Sequence, residues 1–276
     1  MELLEKMKSV GVYHFSPSQL NRPLANWMFE YVFLSKEKRR EIIVGENAAF
    51  GTSVHQIIQA VICHAQAIED AVEASLTGYD FHPANFSQDK RDKFRELIPA
   101  AANVGIDLLS PLFTGAEDER KIELMLDGVL VPVIGFVDMF TDDGFVEIKT
   151  KAPRQGQVKK DGTRSWTKAS LPKEPQWEHI MQAAIYWKAT GAKANIAYVS
   201  ADDGIIYNAD NCEKMSDDVL NYAIEELRRK AITRQNLLAV STDPKVLAGL
   251  MEPDFNHPFY WGHQFVNDAK ELWNNV

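Results

Sequence analysis

In the stretch GFVDMFTDDGFVEIKTK, residues 135–151, Asp138, Glu147 and Lys149 fall within twelve residues, and an apolar residue sits beside nearly every one of them. Asp138 lies near the end of one expected strand and Glu147 near the middle of the next. Joined by a short turn, such positions can be cross-strand neighbours about 5 Å apart. Two carboxylates that close repel unless they are protonated, salt-bridged or bound to a cation. Lys149, two residues past Glu147, leaves the same face of its strand. Two acids and a lysine on one face can hold Mg²⁺ or Mn²⁺ and clamp a phosphate. The plainer alternative is a solvent-facing polar stripe with one salt bridge, and the stretch alone leaves both open. Asp142 and Asp143 suit the turn itself.

Elements on either side must position these groups. Ser16, Pro17 and Gln19 form a helix start, with Leu20, Leu24, Trp27, Met28 and Tyr31 at helical spacing and Pro23 placed to delay or bend the helix. Residues 47–76 suggest one long helix with an apolar stripe of Val54, Ile57, Ile58, Val61 and Ile62. Residues 88–110 suggest another. From Lys121 to Lys151 the pattern alternates around Asp127-Gly128 and the turn at 142–144, which predicts three strands. A helix at about 175–190, short strands in ANIAYVS and GIIYNA, a long helix from Ser216 and a last helix over 263–275 complete the order. The expectation is a mixed α/β (α+β) fold in a single domain over 1–276, with its core at 45–210 and helical parts at 1–44 and 211–276.

The 276 residues carry a net charge of −9, which argues against indiscriminate coating of nucleic acid. The charge is uneven. Residues 151–173 hold seven Lys or Arg (151, 154, 159, 160, 164, 168 and 173) and one acid, Asp161, so that strip is +6 and the remainder −15. It shows no clear periodicity. Its cations suit phosphate contacts and Trp166 suits base stacking, a mobile solvated loop being the alternative. No apolar run approaches the roughly 18 residues of a membrane span. The start MELLEKMKSV lacks the order of a secretory signal, and Cys63 and Cys212 make no disulfide framework, so a cytoplasmic setting is expected. Cys63-His64 has no second pair for zinc. His179, three residues before Gln182, is expected at the surface, with a place in the same cleft as the alternative, and the aromatic run NHPFYWGHQF is expected to pack the last helix. No phosphate-loop motif for ATP is present.

The segments GFVD and VEIKT resemble the signature of the PD-(D/E)XK nuclease superfamily, with Asp138, Glu147 and Lys149 as its D, E and K. FGTSVHQII resembles the glycine-to-histidine helix start of the RecB-like branch, with His55 as the histidine, and EHIMQAAIYWKATG resembles its Q-x-x-x-Y helix, with Gln182 and Tyr186. SPSQL resembles that branch's serine-rich start. The motifs cover about half the chain, and the C-terminal third matches nothing in the family.

The resemblance implies a restriction-endonuclease-like core, a central mixed sheet flanked by helices. It implies a metal-dependent DNA exonuclease of the phage or bacterial recombination and repair type, in the cytoplasm of the host cell. His55, Asp138, Glu147 and the Ile148 carbonyl would hold one or two Mg²⁺ or Mn²⁺ ions. Asp138, Glu147 and Lys149 would be catalytic. Gln182, Tyr186, Lys151, Arg154, Lys159, Lys160, Arg164 and Trp166 would contact DNA, as single strand or duplex end. Some relatives carry a four-cysteine iron–sulfur cluster, which two cysteines do not ligate alone. A homo-oligomer or a single-strand-annealing protein is an expected partner, and no membrane is. The alternatives are a structure- or site-specific endonuclease of the same fold and a non-catalytic nucleic-acid-binding protein.

Overall fold

The structure, a computed structural model, describes residues 2–84, 87–158 and 164–276. The chain divides into two compact units.

One unit comprises Val44–Lys121 and Phe136–Leu220. Its helices are α5 (Glu46–Ile62), α6 (Ile68–Asp80), α7 (Gln88–Phe113) and α8 (Trp177–Thr190). Its strands belong to a five-stranded sheet in the order β1 (Glu117–Leu124), β2 (Val133–Phe140), β3 (Gly144–Thr150), β6 (Lys193–Val199), β7 (Gly204–Tyr207). β2 and β3 pair antiparallel, β3 and β6 parallel from Gly144↔Lys193 to Thr150↔Val199, and β6 and β7 antiparallel. The sheet is therefore mixed. A parallel pair needs a long crossover, and here it carries α8 and the separate hairpin of β4 (Arg154–Val158) and β5 (Arg164–Thr167).

The alternation of β3 sorts its side chains. Val146 and Ile148 join one core with Phe50, Val54, Ile57 and Ile58 of α5 and Phe94, Ile98 and Leu109 of α7. On the other face, Phe145 meets Tyr186 of α8 edge-on at 5.9 Å between centroids. Glu147 and Lys149 share the parity of Phe145. α8 ends at Gly191, whose φ of +69° is the left-handed cap that glycine adopts without strain.

The other unit comprises Met1–Ile43, Ile122–Gly135 and Asn221–Val276. It holds α1 (Leu3–Ser9), α2 (Pro17–Leu20), α3 (Leu24–Met28), α4 (Lys36–Arg40), nearly all of α9 (Asp217–Val240), α10 (Pro244–Ala248), α11 (Pro258–Trp261) and α12 (Val266–Asn274). Ser16 accepts from the Gln19 N–H and caps α2 as its sequence predicts. Phe29, Trp261 and Ala269 are buried with Phe33, Phe255 and Trp273 packed against them, so the aromatic run does pack the last helices.

Four expectations need correction. The single helix at 47–76 breaks between α5 and α6, where Ala65 takes φ +52°. Pro23 does more than bend its helix: α2 ends at Leu20, α3 starts at Leu24, and Phe29–Phe33 continues as a π-helical turn. The basic strip is not irregular throughout, since it forms the β4–β5 hairpin. Finally α7, among the described helices, is long and apolar enough to cross a membrane, yet Phe94, Ile98, Ala101, Ala102 and Leu109 spend that apolarity on the core with α5.

A Cβ on Gly144, at the start of β3, would stand 2.9 Å from the Lys193 main-chain oxygen across the parallel pair. Backbone cannot swing aside as a side chain can. Gly144→Ala is therefore expected to lower stability by about 1–3 kcal/mol, read from urea unfolding midpoints.

Candidate active site

α5 and the β2–β3 pair bring the expected ligands together. A Cβ on Gly51 would lie 2.6 Å from Thr150 Oγ1, so glycine lets α5 run close against the end of β3. His55 follows one turn later on the same helix face. Its Nδ1 stands 3.9 Å from Asp138 Oδ1, although 83 residues separate them in sequence.

The β2–β3 ladder pairs Met139 with Val146 and Phe140 with Phe145. Beyond that point a side chain takes over a backbone role: Asp138 Oδ2 accepts the Ile148 N–H at 2.7 Å. The Asp138 main-chain oxygen accepts from Gln59 Nε2 at 2.9 Å. Gln59 is one turn past His55, a positioning residue that its sequence does not single out.

Glu147 is buried, with 1% of its surface exposed. Burial first, and the Asp138 carboxylate second, raise its pKa against the opposing pull of Lys149. Burial lowers the Lys149 pKa, but Glu147 and then Asp138 more than offset it and raise it overall, which holds the ammonium charged. Lys149 Nζ donates to Glu147 Oε2 at 2.9 Å and to Gln182 Oε1 at 3.0 Å. Gln182 Nε2 in turn donates to the Tyr186 hydroxyl at 3.2 Å. For His55, burial outweighs the attraction of Asp138 and lowers its pKa. A neutral imidazole keeps a lone pair for a metal ion. The Ile148 main chain also hydrogen-bonds the ring.

Do these residues fit a divalent cation? Glu147 Oε1 is buried without a hydrogen-bond partner. An orphaned buried carboxyl oxygen is costly, and so is the repulsion between Asp138 and Glu147 when both are charged. A cation relieves both. Two carboxylates, a neutral imidazole and a main-chain carbonyl form an N,O donor set suited to Mg²⁺ or Mn²⁺. Among the described residues no three His, Cys, Asp or Glu side chains close a ready cage. Asp138 Oδ2 and Glu147 Oε2 are held instead by the Ile148 N–H and by Lys149. The donor types suit a divalent ion, while their spacing forms no three-ligand group among the described residues.

The other expected contacts separate into groups. Tyr186 is only 1% exposed, so its hydroxyl serves Gln182 and not a strand lying at the surface. Gln182 is engaged by Lys149. Lys151 Nζ bonds Gln176 Oε1 at 3.2 Å and lies 5.3 Å from the Tyr198 ring centroid, and burial lowers its pKa. Arg154 and Arg164 are exposed on the β4–β5 hairpin. Trp166 is half-buried and tilted against Phe94 at 6.2 Å between ring centroids. Lys159 and Lys160 lie outside the described residues.

His179 is the group that the sequence misplaces. It is half-buried, not a surface residue, and its Nδ1 lies 2.7 Å from the Tyr198 hydroxyl, which itself accepts the Gln176 N–H at 2.9 Å. Which of the two groups donates between Tyr198 and Nδ1 depends on the imidazole tautomer. Burial, then Lys149 and Lys151, push its pKa down to about 3.

No protein-family model matches the chain, and no curated protein matches it. Among solved structures, it is similar to a protein from Eubacterium rectale named provisionally as an exonuclease, at 15% identity over 81% of this chain and 82% of that one, with a TM-score of 0.52. That likeness is one of fold, a mixed α/β core with its central sheet flanked by helices. A second solved protein, SSO0001, shares 18% identity over 62% of this chain and 88% of its own, but its TM-score of 0.29 carries no argument.

His179 yields a pH prediction. Its folded pKa lies below the ordinary 6.5, so the unfolded chain takes up a proton that the folded one refuses. Its contribution therefore makes stability fall as pH drops from about 6.5 towards 3. Urea midpoints at pH 7 and pH 5 are expected to differ less in His179→Gln than in the wild type.

Proposed function

We propose that the chain is a divalent-metal-dependent DNA nuclease of the exonuclease type. One observation carries the reading: a helix and a strand pair, far apart in sequence, converge so that His55 stands 3.9 Å from Asp138 beside Glu147, Lys149 and the Ile148 main chain. The provisional name of the similar Eubacterium rectale protein points the same way.

His55, Asp138, Glu147 and the Ile148 carbonyl would hold one or two Mg²⁺ or Mn²⁺ ions. Such an ion supplies a Lewis acid at the scissile phosphate and activates water for attack. The chain's own groups do the remaining work. Glu147 and Gln182 fix the Lys149 ammonium from two sides, which orients its third N–H for a phosphate oxygen or the incoming water. Tyr186 anchors Gln182, and Gln59 anchors the strand that bears Asp138. Arg154 and Arg164 offer exposed charge to the backbone of a strand. Iron–sulfur chemistry and ATP form no part of the reading. A recombination or repair role, with a homo-oligomer or an annealing protein as partner, extends it by resemblance.

End-labelled linear DNA with Mg²⁺ or Mn²⁺ is expected to be degraded, and excess chelator to stop it. Asp138→Asn and Lys149→Ala should each slow degradation roughly 100-fold or more with an unchanged far-UV spectrum. Covalently closed circular DNA should survive; its cutting would replace the exonuclease by an endonuclease. Wild-type rates in both variants would sink the nuclease.

A second measurement needs no turnover. Millimolar Mn²⁺ is expected to raise the unfolding midpoint of the wild-type chain, through binding to the folded state alone. Glu147→Gln, which removes one anionic ligand, should abolish that rise.

A further inference from the structure

The unit that lacks the candidate active site contains a cavity of about 490 Å³ with a basic wall. α9 contributes Glu226, Arg229, Lys230 and Arg234, and Arg22 joins them from the turn after α2. Positions 226, 229, 230 and 234 recur at three and four residues, so they share one helix face. Four cations face one carboxylate in a chain whose net charge is −9.

Two of those cations are already balanced. Lys230 pairs with Glu226 at 2.8 Å, and Arg22 with Glu30 at 2.8 Å. Arg229 and Arg234 carry no ion pair among the described residues. Arg234 is 3% exposed. Its guanidinium donates to the main-chain oxygens of Lys230 at 3.0 Å, Leu20 at 3.2 Å and Arg22 at 2.7 Å. Its Nε has no partner. Neutral carbonyls satisfy N–H donors but leave the charge uncompensated, and the Trp27 ring at 5.2 Å offers only a weak quadrupole. Burial accordingly pushes the Arg234 pKa down to about 10. A cation held this way is costly without a counter-charge, and an anion in the adjoining cavity would supply one.

We propose that this cavity binds a phosphate ester of nucleotide size. Guanidinium groups match phosphate oxygens in geometry as well as charge. The volume falls within the range of small-molecule sites, roughly 300–1,000 Å³, and exceeds what a bare phosphate fills. Tyr260 also lines the cavity, with the Arg22 guanidinium 5.9 Å from its ring centroid, and gives a base a surface to stack on. A free nucleotide and one nucleotide unit of a strand present the same phosphate ester. The site stands on its own geometry and does not rest on the nuclease reading.

The test is calorimetric titration of the full chain carrying Asp138→Asn, in chelator, so that nothing is cut. The probes are inorganic phosphate, 2′-deoxyadenosine 5′-monophosphate and a 5′-phosphorylated oligonucleotide, all at constant ionic strength. The nucleotide is expected to bind. Arg229→Glu is expected to weaken it at least tenfold and Arg229→Ala to weaken it less. Arg40→Glu, the same charge change on exposed α4, should alter affinity less than twofold. Tighter binding of the oligonucleotide than of the mononucleotide, still lost in Arg229→Glu, assigns the site to a strand; equal or weaker binding assigns it to a free nucleotide. No binding of any probe, or equal losses in Arg229→Glu and Arg40→Glu, would overturn the proposal while leaving the nuclease test untouched.

Discussion

The repulsion between Asp138 and Glu147 is the constraint around which the unit holding the candidate site is arranged. Burying Glu147 beside a second carboxylate disfavours its charge, and a single ammonium, Lys149, counters only part of that. A fold selected for stability alone would place apolar residues there, as it does at Val146 and Ile148. The surrounding contacts hold the groups in place and do not remove the conflict. Asp138 is fixed by the Ile148 N–H, and Lys149 by Gln182. One buried oxygen of Glu147 is left with nothing to bond. The raised Glu147 pKa is the measure of that conflict, since a proton on its carboxyl relieves it.

The polar chain from Glu147 through Lys149 and Gln182 to Tyr186 ties the sheet to α8. It also changes what the Q-x-x-x-Y spacing accomplishes. Both residues were expected to face a strand of nucleic acid. Here the glutamine orients the lysine and the tyrosine orients the glutamine, so the helix acts on the site from within the protein. Burial raises the Tyr186 pKa, which leaves its hydroxyl neutral and suited to that role.

The fold class and the shared face of Glu147 and Lys149 were legible in the sequence, because each depends on local periodicity or on short spacing; that His55 joins them was expected only from the family resemblance. Strand alternation placed Glu147 and Lys149 on one face. The glycine one turn before His55 was read only as part of that resemblance, and its close approach to Thr150 shows only in the fold. What stayed hidden depends on distant parts of the chain. His179 looks exposed on its own helix, and only β6, which brings Tyr198 to it, shows otherwise. Trp166 sits in a run of charges that suggests solvent, yet Phe94 of α7 captures its ring. Gln59 is unremarkable until Asp138 lies beside it. The division into two units is equally invisible, since residues 122–135 belong with the two ends of the chain and not with their neighbours.

That discontinuity has a consequence for how the unit folds. Lys6 donates to the main chain at Ala239, and Arg234 to the main chain at Leu20 and Arg22, so contacts inside one unit join residues more than 200 positions apart. Contacts of such long sequence separation carry a large loop-closure entropy and form slowly. Trp27, Met28 and Phe29, all buried in the folded unit, therefore keep their apolar surface uncovered until those distant contacts close.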